Sequence, residues 1–363
     1  MSPLRMAVIG VGHLGKEHAR IVAGLPGVEL VGVADINAAQ AESVARRCGT
    51  RAYADYWPLL NLVDAAVVVV PTTHHHAIAS EFLGRGIPVL VEKPLALNLQ
   101  QAESLAGLAR KHVVPLQVGH IERFNPAFEE LGQHPLQAKF VECERRGPFT
   151  GRSTDIGAVL DLMIHDLDLL LTLVRSPVSR VEALGVTVFG RHEDVANARL
   201  VFANGCVANV TASRVSSAPV RRMRIWSPEG YASLDFAQRC LTLVQPSDEL
   251  RLHGLDCGHL DAAGLAMLRN EMFGRHLQVQ RLDCNHGDQL TRELEHFVDC
   301  VRTGTCPRAS GEDGCRAMAL ATRVLESIAA HRWDGSAQGP AGPLQPPLPV
   351  GRLFRPLEGE AAA

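Results

Sequence analysis

Two groups of residues in this chain have the types and spacing to do chemistry. The first is Gly10-Val11-Gly12-His13-Leu14-Gly15, which follows the apolar strand Arg5 to Ile9 and opens the helical stretch Lys16 to Leu25. In that context the three glycines do different things. Gly10 makes the tight turn, Gly12 admits a pyrophosphate close to the backbone, and Gly15 brings helix and strand together. His13 and Leu14 complete the turn, and the helix N-terminus behind them offers amide donors and a positive dipole to phosphates. Asp35 ends a second strand, Val28 to Ala34, about twenty residues past the turn, where a carboxylate accepts hydrogen bonds from the adenosine ribose. That charge repels a 2'-phosphate, and Ile36-Asn37 brings no adjacent arginine, so NAD is expected over NADP. Arg46 and Arg47 weaken this only if their helix bends toward the ribose. The alternative is an ordinary strand-turn-helix with a surface aspartate.

The second group is Asp161 and His165. On an α-helix residues four apart share a face, so the carboxylate can orient the imidazole. A histidine with an unperturbed pKa near 6.5 is suited to take a hydroxyl proton as hydride leaves. Alone, the two residues read more readily as a capping aspartate and a satisfied core histidine. His74-His75-His76 invites a metal reading, but adjacent side chains diverge and no carboxylate or cysteine completes a set, so no metal site is expected.

The elements that must position these groups follow from the pattern. Ala65 to Val70 is an uninterrupted apolar run, as in a strand buried on both faces of a parallel sheet, and it ends in Pro71-Thr72-Thr73. Pro88 to Val91 leads into Glu92-Lys93-Pro94 and a helix from Leu95 to His112. Lys93 thus lies at a strand's carboxyl end, where open α/β sheets place ligand crevices. Beyond Gly119 to Pro126, alternating segments at Gln137–Arg145, Val181–Phe189, Ala196–Phe202, Cys206–Ser213, Arg221–Ser227 and Tyr231–Phe236 read as an antiparallel sheet. Asn204-Gly205 and Glu229-Gly230 mark its hairpin turns. One face of such a sheet can carry the helix with Asp161 and His165, and the other is available to a second subunit. Helices Thr291–Arg302 and Glu312–Ala330 follow, then a Pro/Gly-rich stretch expected to be loosely attached.

Composition sets the limits. A chain of 363 residues suits two cores. With 46% hydrophobic and 21% charged residues it has ordinary globular balance, and no apolar run approaches the roughly 20 residues of a membrane helix. The first residues run straight into a strand, so no leader and a cytoplasmic location are expected. Nine cysteines without a C-x-x-C pair suggest reduced thiols. A net charge of -3 with dispersed basic residues offers no face for nucleic acid.

With the glycine turn, Pro71-Thr72-x-x-His75 and Glu92-Lys93-Pro94 in this order, the chain resembles the Gfo/Idh/MocA family of sugar and inositol dehydrogenases over nearly its whole length. The resemblance implies an α/β N-terminal Rossmann domain (1–122), a C-terminal α+β domain (123–335) with a large, mostly antiparallel sheet for substrate and oligomerisation, and a tail (336–363). It implies that Lys93 reaches both nicotinamide and substrate hydroxyl, so that either Lys93 or His165 accepts the hydroxyl proton, with Pro71, Thr72, His75 and Glu92 on the cofactor side. Gly157 to Asp168 resembles the family's Gly-x-x-Leu-x-Asp-x-Gly-x-His-x-x-Asp region, and this favours the acid-base reading of Asp161 and His165. Met163 stands where many relatives have glycine, and is expected to narrow the pocket or alter the approach to the nicotinamide half.

Within the family, His120-Ile121-Glu122-Arg123-Phe124-Asn125-Pro126-Ala127, Ala196 to Leu200 and Val207 to Arg214 are most similar to members that oxidise the 3-hydroxyl of UDP-N-acetylglucosamine. In those members a partner aminotransferase turns the ketone into the 3-amino sugar of lipid A. The likeness implies that Arg123, Asn125 and Arg214, with His120 beside them, meet the substrate and its diphosphate; each taken singly reads as structural. Homo-oligomers through the sheet are common in the family. The competing expectations are a dehydrogenase of a free sugar, inositol or another nucleotide sugar, and a non-catalytic NAD-binding regulator.

Overall fold

Short β-branched runs and longer helical stretches alternate over the first third of the chain, and this builds a parallel sheet covered on both faces. The computed structural model describes residues 2–134, 136–151, 155–189, 191–285 and 287–343. The first sheet contains β1 (Leu4–Ile9), β2 (Val28–Ala34), β3 (Arg51–Tyr53), β4 (Ala65–Val68), β5 (Val89–Glu92) and β6 (Leu116–Gly119), in the order β3-β2-β1-β4-β5-β6. Every pairing in it is parallel. The helices α1 (Gly15–Gly24), α2 (Ala38–Cys48), α3 (Thr72–Leu83) and α4 (Leu99–His112) connect these strands. Strand order reverses between β1 and β4, the switch point at which such sheets open a crevice at their carboxyl ends.

After α5 (Pro126–Leu131) and β7 (Phe140–Arg146) the chain makes a π-helical turn at Val159–Met163 that runs into α6 (Ile164–Val174). Strands β8 (Val178–Val186), β9 (Val195–Phe202), β10 (Val207–Ser213), β11 (Val220–Ser227), β12 (Gly230–Asp235) and β13 (Cys240–Pro246) follow. A pair of exposed helices, α7 (Asp248–His253) and α8 (Ala262–Glu271), precedes β14 (Leu277–Asp283). The second sheet runs β14-β13-β12-β11-β7-β10-β9-β8 and is antiparallel except between β7 and β10. Alternation decides its faces. Ala196, Ala198, Leu200, Met223 and Ile225 are buried on the inner side, and Arg199, Arg222 and Arg224 line a polar outer side.

Two long helices return to the first unit. α9 (Gln289–Thr303) packs Leu294, Phe297 and Val298 with Met6, Val8 and Val22 of the first unit. α10 (Gly311–Ala330) starts with a Ser310/Asp313 capping box and lies against α4, α6 and β8. The mixed fold class is the one the sequence implied. Strands β13 and β14, the α7/α8 pair and the parallel β7/β10 contact were not among the expected elements. The first part of the tail is held rather than loose: Trp333 Nε1 donates to Gly342 O at 2.9 Å and Arg332 bridges to Ala341. Residues 344–363 of the expected tail lie outside the described residues. Among the described residues no helix is long and apolar enough to cross a membrane.

Candidate active site

A cleft of about 790 Å³ opens at the carboxyl ends of β1, β2, β4 and β5. Gly10 has φ +85°, and a Cβ there would meet Val69 O at 2.4 Å. A Cβ on Gly15 would fall 1.9 Å from Gly10 O, so that glycine permits the close helix packing. Gly12 differs, since a Cβ there meets nothing within 4 Å, and it lines the cleft with His13 and Leu14. The fold leaves that space open for a pyrophosphate.

Asp35 lines the same cleft and is fixed in place by Val11 N on Oδ2 and Asn37 N on Oδ1, each at 2.9 Å. Both oxygens keep lone pairs for a ribose. Arg46 pairs with Glu42 along α2, and neither it nor Arg47 lines the cleft. Ile36, 98% exposed, and Tyr56 add apolar surface for a flat ring. Pro71 and Thr72 also line it, and this residue set fits a dinucleotide.

His75 does not face the cleft. Its buried ring lies between two carbonyls, Nδ1 at 2.9 Å from Pro94 O and Nε2 at 2.8 Å from Val70 O, so it links the loops after β4 and β5. The expectation of a cofactor contact from His75 is corrected to a positioning role. Burial, the largest influence, pushes its pKa down although both carbonyls favour a proton.

Lys93 closes the inner end of the cleft. Glu92 pins its backbone, accepting Lys93 N at 3.1 Å on Oε2, while Oε1 contacts His18 Nε2 at 2.9 Å. Burial works against the Glu92 charge, but His18 and Lys93 prevail and hold its pKa below the usual value. Behind it, Glu293 of α9 is fully buried with neither carboxyl oxygen partnered among the described residues. Burial and the Glu92 charge push its pKa well above the usual carboxylate value, which favours the neutral acid.

Lys93 Nζ donates to Asp161 O at 2.7 Å and Asp161 Oδ1 at 3.0 Å. The carboxylate expected to orient His165 holds the lysine instead, and His165 makes no hydrogen bond among the described residues. The cause is local: Asp161 sits in the π-helical turn, whose wider winding takes it out of the four-residue register with His165. Glu193 secures that turn, accepting Val159 N at 3.0 Å, and a Cβ on Gly157 would collide with its carboxylate. His165 is partly exposed with Nδ1 buried and unpartnered. Burial first, then the charges of Lys93, Arg145, His120 and Arg221, hold its pKa well below 6.5. The imidazole is therefore neutral, the form that accepts a proton.

The residues expected to meet a diphosphate are committed elsewhere. Arg123 Nε and Nη2 donate to the two oxygens of Asp168 at 2.7 and 2.6 Å, and a second carboxylate, Asp313, lies 3.3 Å away. Arg214 Nε donates to Asp194 at 2.6 Å and Nη1 to Ile156 O at 3.0 Å. Asn125 caps α5 and donates to Glu122 at 3.0 Å and Phe236 O at 3.1 Å. The physical reason is burial: an arginine so enclosed persists only with its charge paired. His120 is buried too, with neither ring nitrogen hydrogen-bonded among the described residues and Nε2 3.9 Å from Asp168. Met163 is wholly buried in the core, so it does not narrow the cleft as expected.

Sequence reading missed His18, Glu193, Glu293 and Arg145. Arg145 donates to both oxygens of Asp166, at 2.9 and 3.0 Å, and to Glu122 at 2.7 Å, tying the sheet to α6. A signal was present for two of them: His18 and Glu293 occupy the apolar stripes of α1 and α9, where an ionisable residue needs a reason. Among the described residues no three His, Cys, Asp or Glu side chains are grouped to hold a metal.

Residues 4–120 match the family described as an oxidoreductase family with an NAD-binding Rossmann fold, and residues 130–233 match the GFO/IDH/MocA C-terminal domain. UDP-N-acetylglucosamine 3-dehydrogenase of Acidithiobacillus ferrooxidans is 37% identical over 331 residues, 91% of this chain and 99% of that protein. The chain belongs to the GFO/IDH/MocA oxidoreductase family. The solved structure of that relative superposes with a TM-score of 0.79 at 36% identity, covering 90% of this chain and 98% of that one. The NAD-dependent scyllo-inositol 2-dehydrogenase of Bacillus subtilis is 30% identical over 59% of this chain and 68% of its own. Levoglucosan dehydrogenase in complex with NADH shares the fold, with a TM-score of 0.76 at 18% identity over 90% of this chain and 97% of that one. The chain is thus an oxidoreductase with an NAD-binding Rossmann fold, and the cleft at the carboxyl ends of β1 and β4 is lined by residues that fit a dinucleotide.

Proposed function

We propose that this enzyme oxidises the 3-hydroxyl of UDP-N-acetylglucosamine to a ketone. The observation that carries the substrate is the 37% identity along 99% of the UDP-N-acetylglucosamine 3-dehydrogenase relative. The ion pair of Lys93 and Asp161 beside a neutral His165 is consistent with the chemistry. Bound NAD supplies the hydride acceptor. Lys93 Nζ, an ammonium engaged with Asp161, donates to the substrate oxygen and stabilises charge that develops there. His165 takes the hydroxyl proton, because Lys93 as donor has no lone pair to accept it. Glu92 and His75 hold the loop that carries Lys93.

The roles of Gly10, Gly12, Gly15 and Asp35 toward NAD belong to the same reading. So does a division into a nucleotide unit, residues 1–122, and a substrate unit, residues 123–335, whose helices α9 and α10 brace the first. The product ketone is the substrate class of an aminotransferase, which fits an amino-sugar route toward lipid A in the cytoplasm. Homo-oligomerisation uses the outer face of the second sheet, where Glu142, Glu144, Arg199, Arg222 and Arg224 mix both signs of charge.

The test is NADH formation by purified protein with UDP-N-acetylglucosamine, UDP-glucose, myo-inositol and free hexoses, with glutamate and a 3-aminotransferase added to draw off ketone. Signal with UDP-N-acetylglucosamine is expected, and Lys93→Ala and His165→Ala should bind NAD but lose most turnover. Signal with inositol alone refutes the substrate; unchanged kcat in both variants refutes the residue roles.

A further inference from the structure

Burial of Arg123, Asn125 and Arg214 leaves the anionic part of a nucleotide-sugar substrate without its expected partners, and strand register indicates a replacement. In the antiparallel β7/β11 pair, Arg221 stands opposite Arg145, Met223 opposite Cys143, and Ile225 opposite Val141. Opposed residues share a sheet face, as do alternate residues along a strand. Met223, Ile225, Cys143 and Val141 are buried on the inner face, and Arg145 sends its guanidinium from that face to Asp166, the neighbour of His165. Arg221 therefore projects to the side of α6 and His165. Arg222 and Arg224 point the other way, toward Asp235 and Glu142.

Unlike the residues that share its face, Arg221 is exposed, so the packed layer ends at it. Among the described residues its guanidinium has no hydrogen bond or ion pair, whereas Arg123, Arg145 and Arg214 are each committed to a buried aspartate. Like charges directly opposed across a strand pair are unfavourable, and Asp166 and Glu122 are already taken by Arg145. Its charge also acts on both His165 and Asp166, which places it within electrostatic reach of the reacting end. An inward-facing guanidinium unpaired among the described residues is suited to hold an anion, and its planar fork suits phosphate oxygens.

We infer that Arg221 binds the diphosphate of the nucleotide-sugar substrate while the sugar ring lies over Lys93 and His165. This rests on the nucleotide-sugar reading of the site. It is tested with full-length Arg221→Gln and Arg221→Lys enzymes by measuring kcat and KM for UDP-N-acetylglucosamine, KM for NAD, and inhibition by UDP. In Arg221→Gln the KM and the UDP inhibition constant should rise about tenfold to a hundredfold, as for a lost charged hydrogen bond, and by more than any fall in kcat. KM for NAD should be unchanged, and Arg221→Lys should recover part of the UDP affinity. An active wild type whose KM and UDP inhibition are unaltered by Arg221→Gln overturns the role of Arg221 and leaves the substrate reading intact. A wild type active only on uncharged sugars or inositol overturns both.

Discussion

Asp161→Asn separates the two roles that residue could play. In the structure its carboxylate holds Lys93 Nζ at 3.0 Å, and its backbone oxygen holds the same nitrogen at 2.7 Å. Both side chains are mostly shielded, 14% and 19% exposed. At 3.0 Å and an effective dielectric near 20, the gross attraction is about 5.5 kcal/mol. Desolvation offsets much of this, and charged hydrogen bonds of this kind retain about 1.5 to 3 kcal/mol net. Asparagine keeps the shape and the backbone bond but removes the charge, so kcat/KM should fall roughly tenfold to a hundredfold. Because the loss acts through Lys93, a cycle of Asp161→Asn, Lys93→Ala and the double variant should be strongly non-additive, with the double variant close to Lys93→Ala alone. The acid limb of the pH profile should stay in place, since His165 is depressed by burial and surrounding positive charge. Additive losses in the cycle, or an acid limb displaced by about one unit or more in Asp161→Asn, would refute the assignment and restore a direct Asp161 to His165 coupling.

The other predictions concern histidine charge and the glycine turn. With His165 held well below its ordinary value of 6.5, kcat/KM should keep its plateau as pH falls through 6.5 and drop only below it. Over that same window the unfolded chain binds protons that buried His75, His120 and His165 refuse, so the thermal midpoint should decline as pH falls below about 6.5. A plateau ending above 6.5 in kcat/KM, or a midpoint that rises on acidification, would contradict the geometry. Gly12→Ala has open space for its methyl and should keep the wild-type melting temperature while losing NAD affinity, read by calorimetric titration. Gly15→Ala drives a carbon against Gly10 O and should cost about 1 to 3 kcal/mol of stability. Equal melting temperatures for the two variants would show that the turn tolerates what its packing forbids.

Those features that depend on neighbours in sequence were legible without a structure. The glycine turn, Asp35 and the strand ending at Glu92-Lys93-Pro94 each lie within one strand-turn-helix unit, where spacing alone fixes which side of the sheet they reach. Alternation likewise marked most strands of the second sheet, because one face is buried and the other wet. Partner choice over long separations was not legible. Lys93 and Asp161 are 68 residues apart, and a π-helical turn, invisible in residue type, directs the carboxylate to the lysine instead of His165. Arg123 and Arg214 carry the charge a diphosphate needs, yet Asp168 and Asp194, 45 and 20 residues away, neutralise them in the interior. Strand pattern alone does not single out Arg221; its register with Arg145 puts it on the inner face. Sequence alone could name the cofactor, because local backbone geometry and residue chemistry set it, and the family resemblance pointed to Lys93, Asp161 and His165 as candidate reacting groups. Only the tertiary structure could decide which charges are already paired and which remain for a substrate, because burial and register are properties of the whole fold.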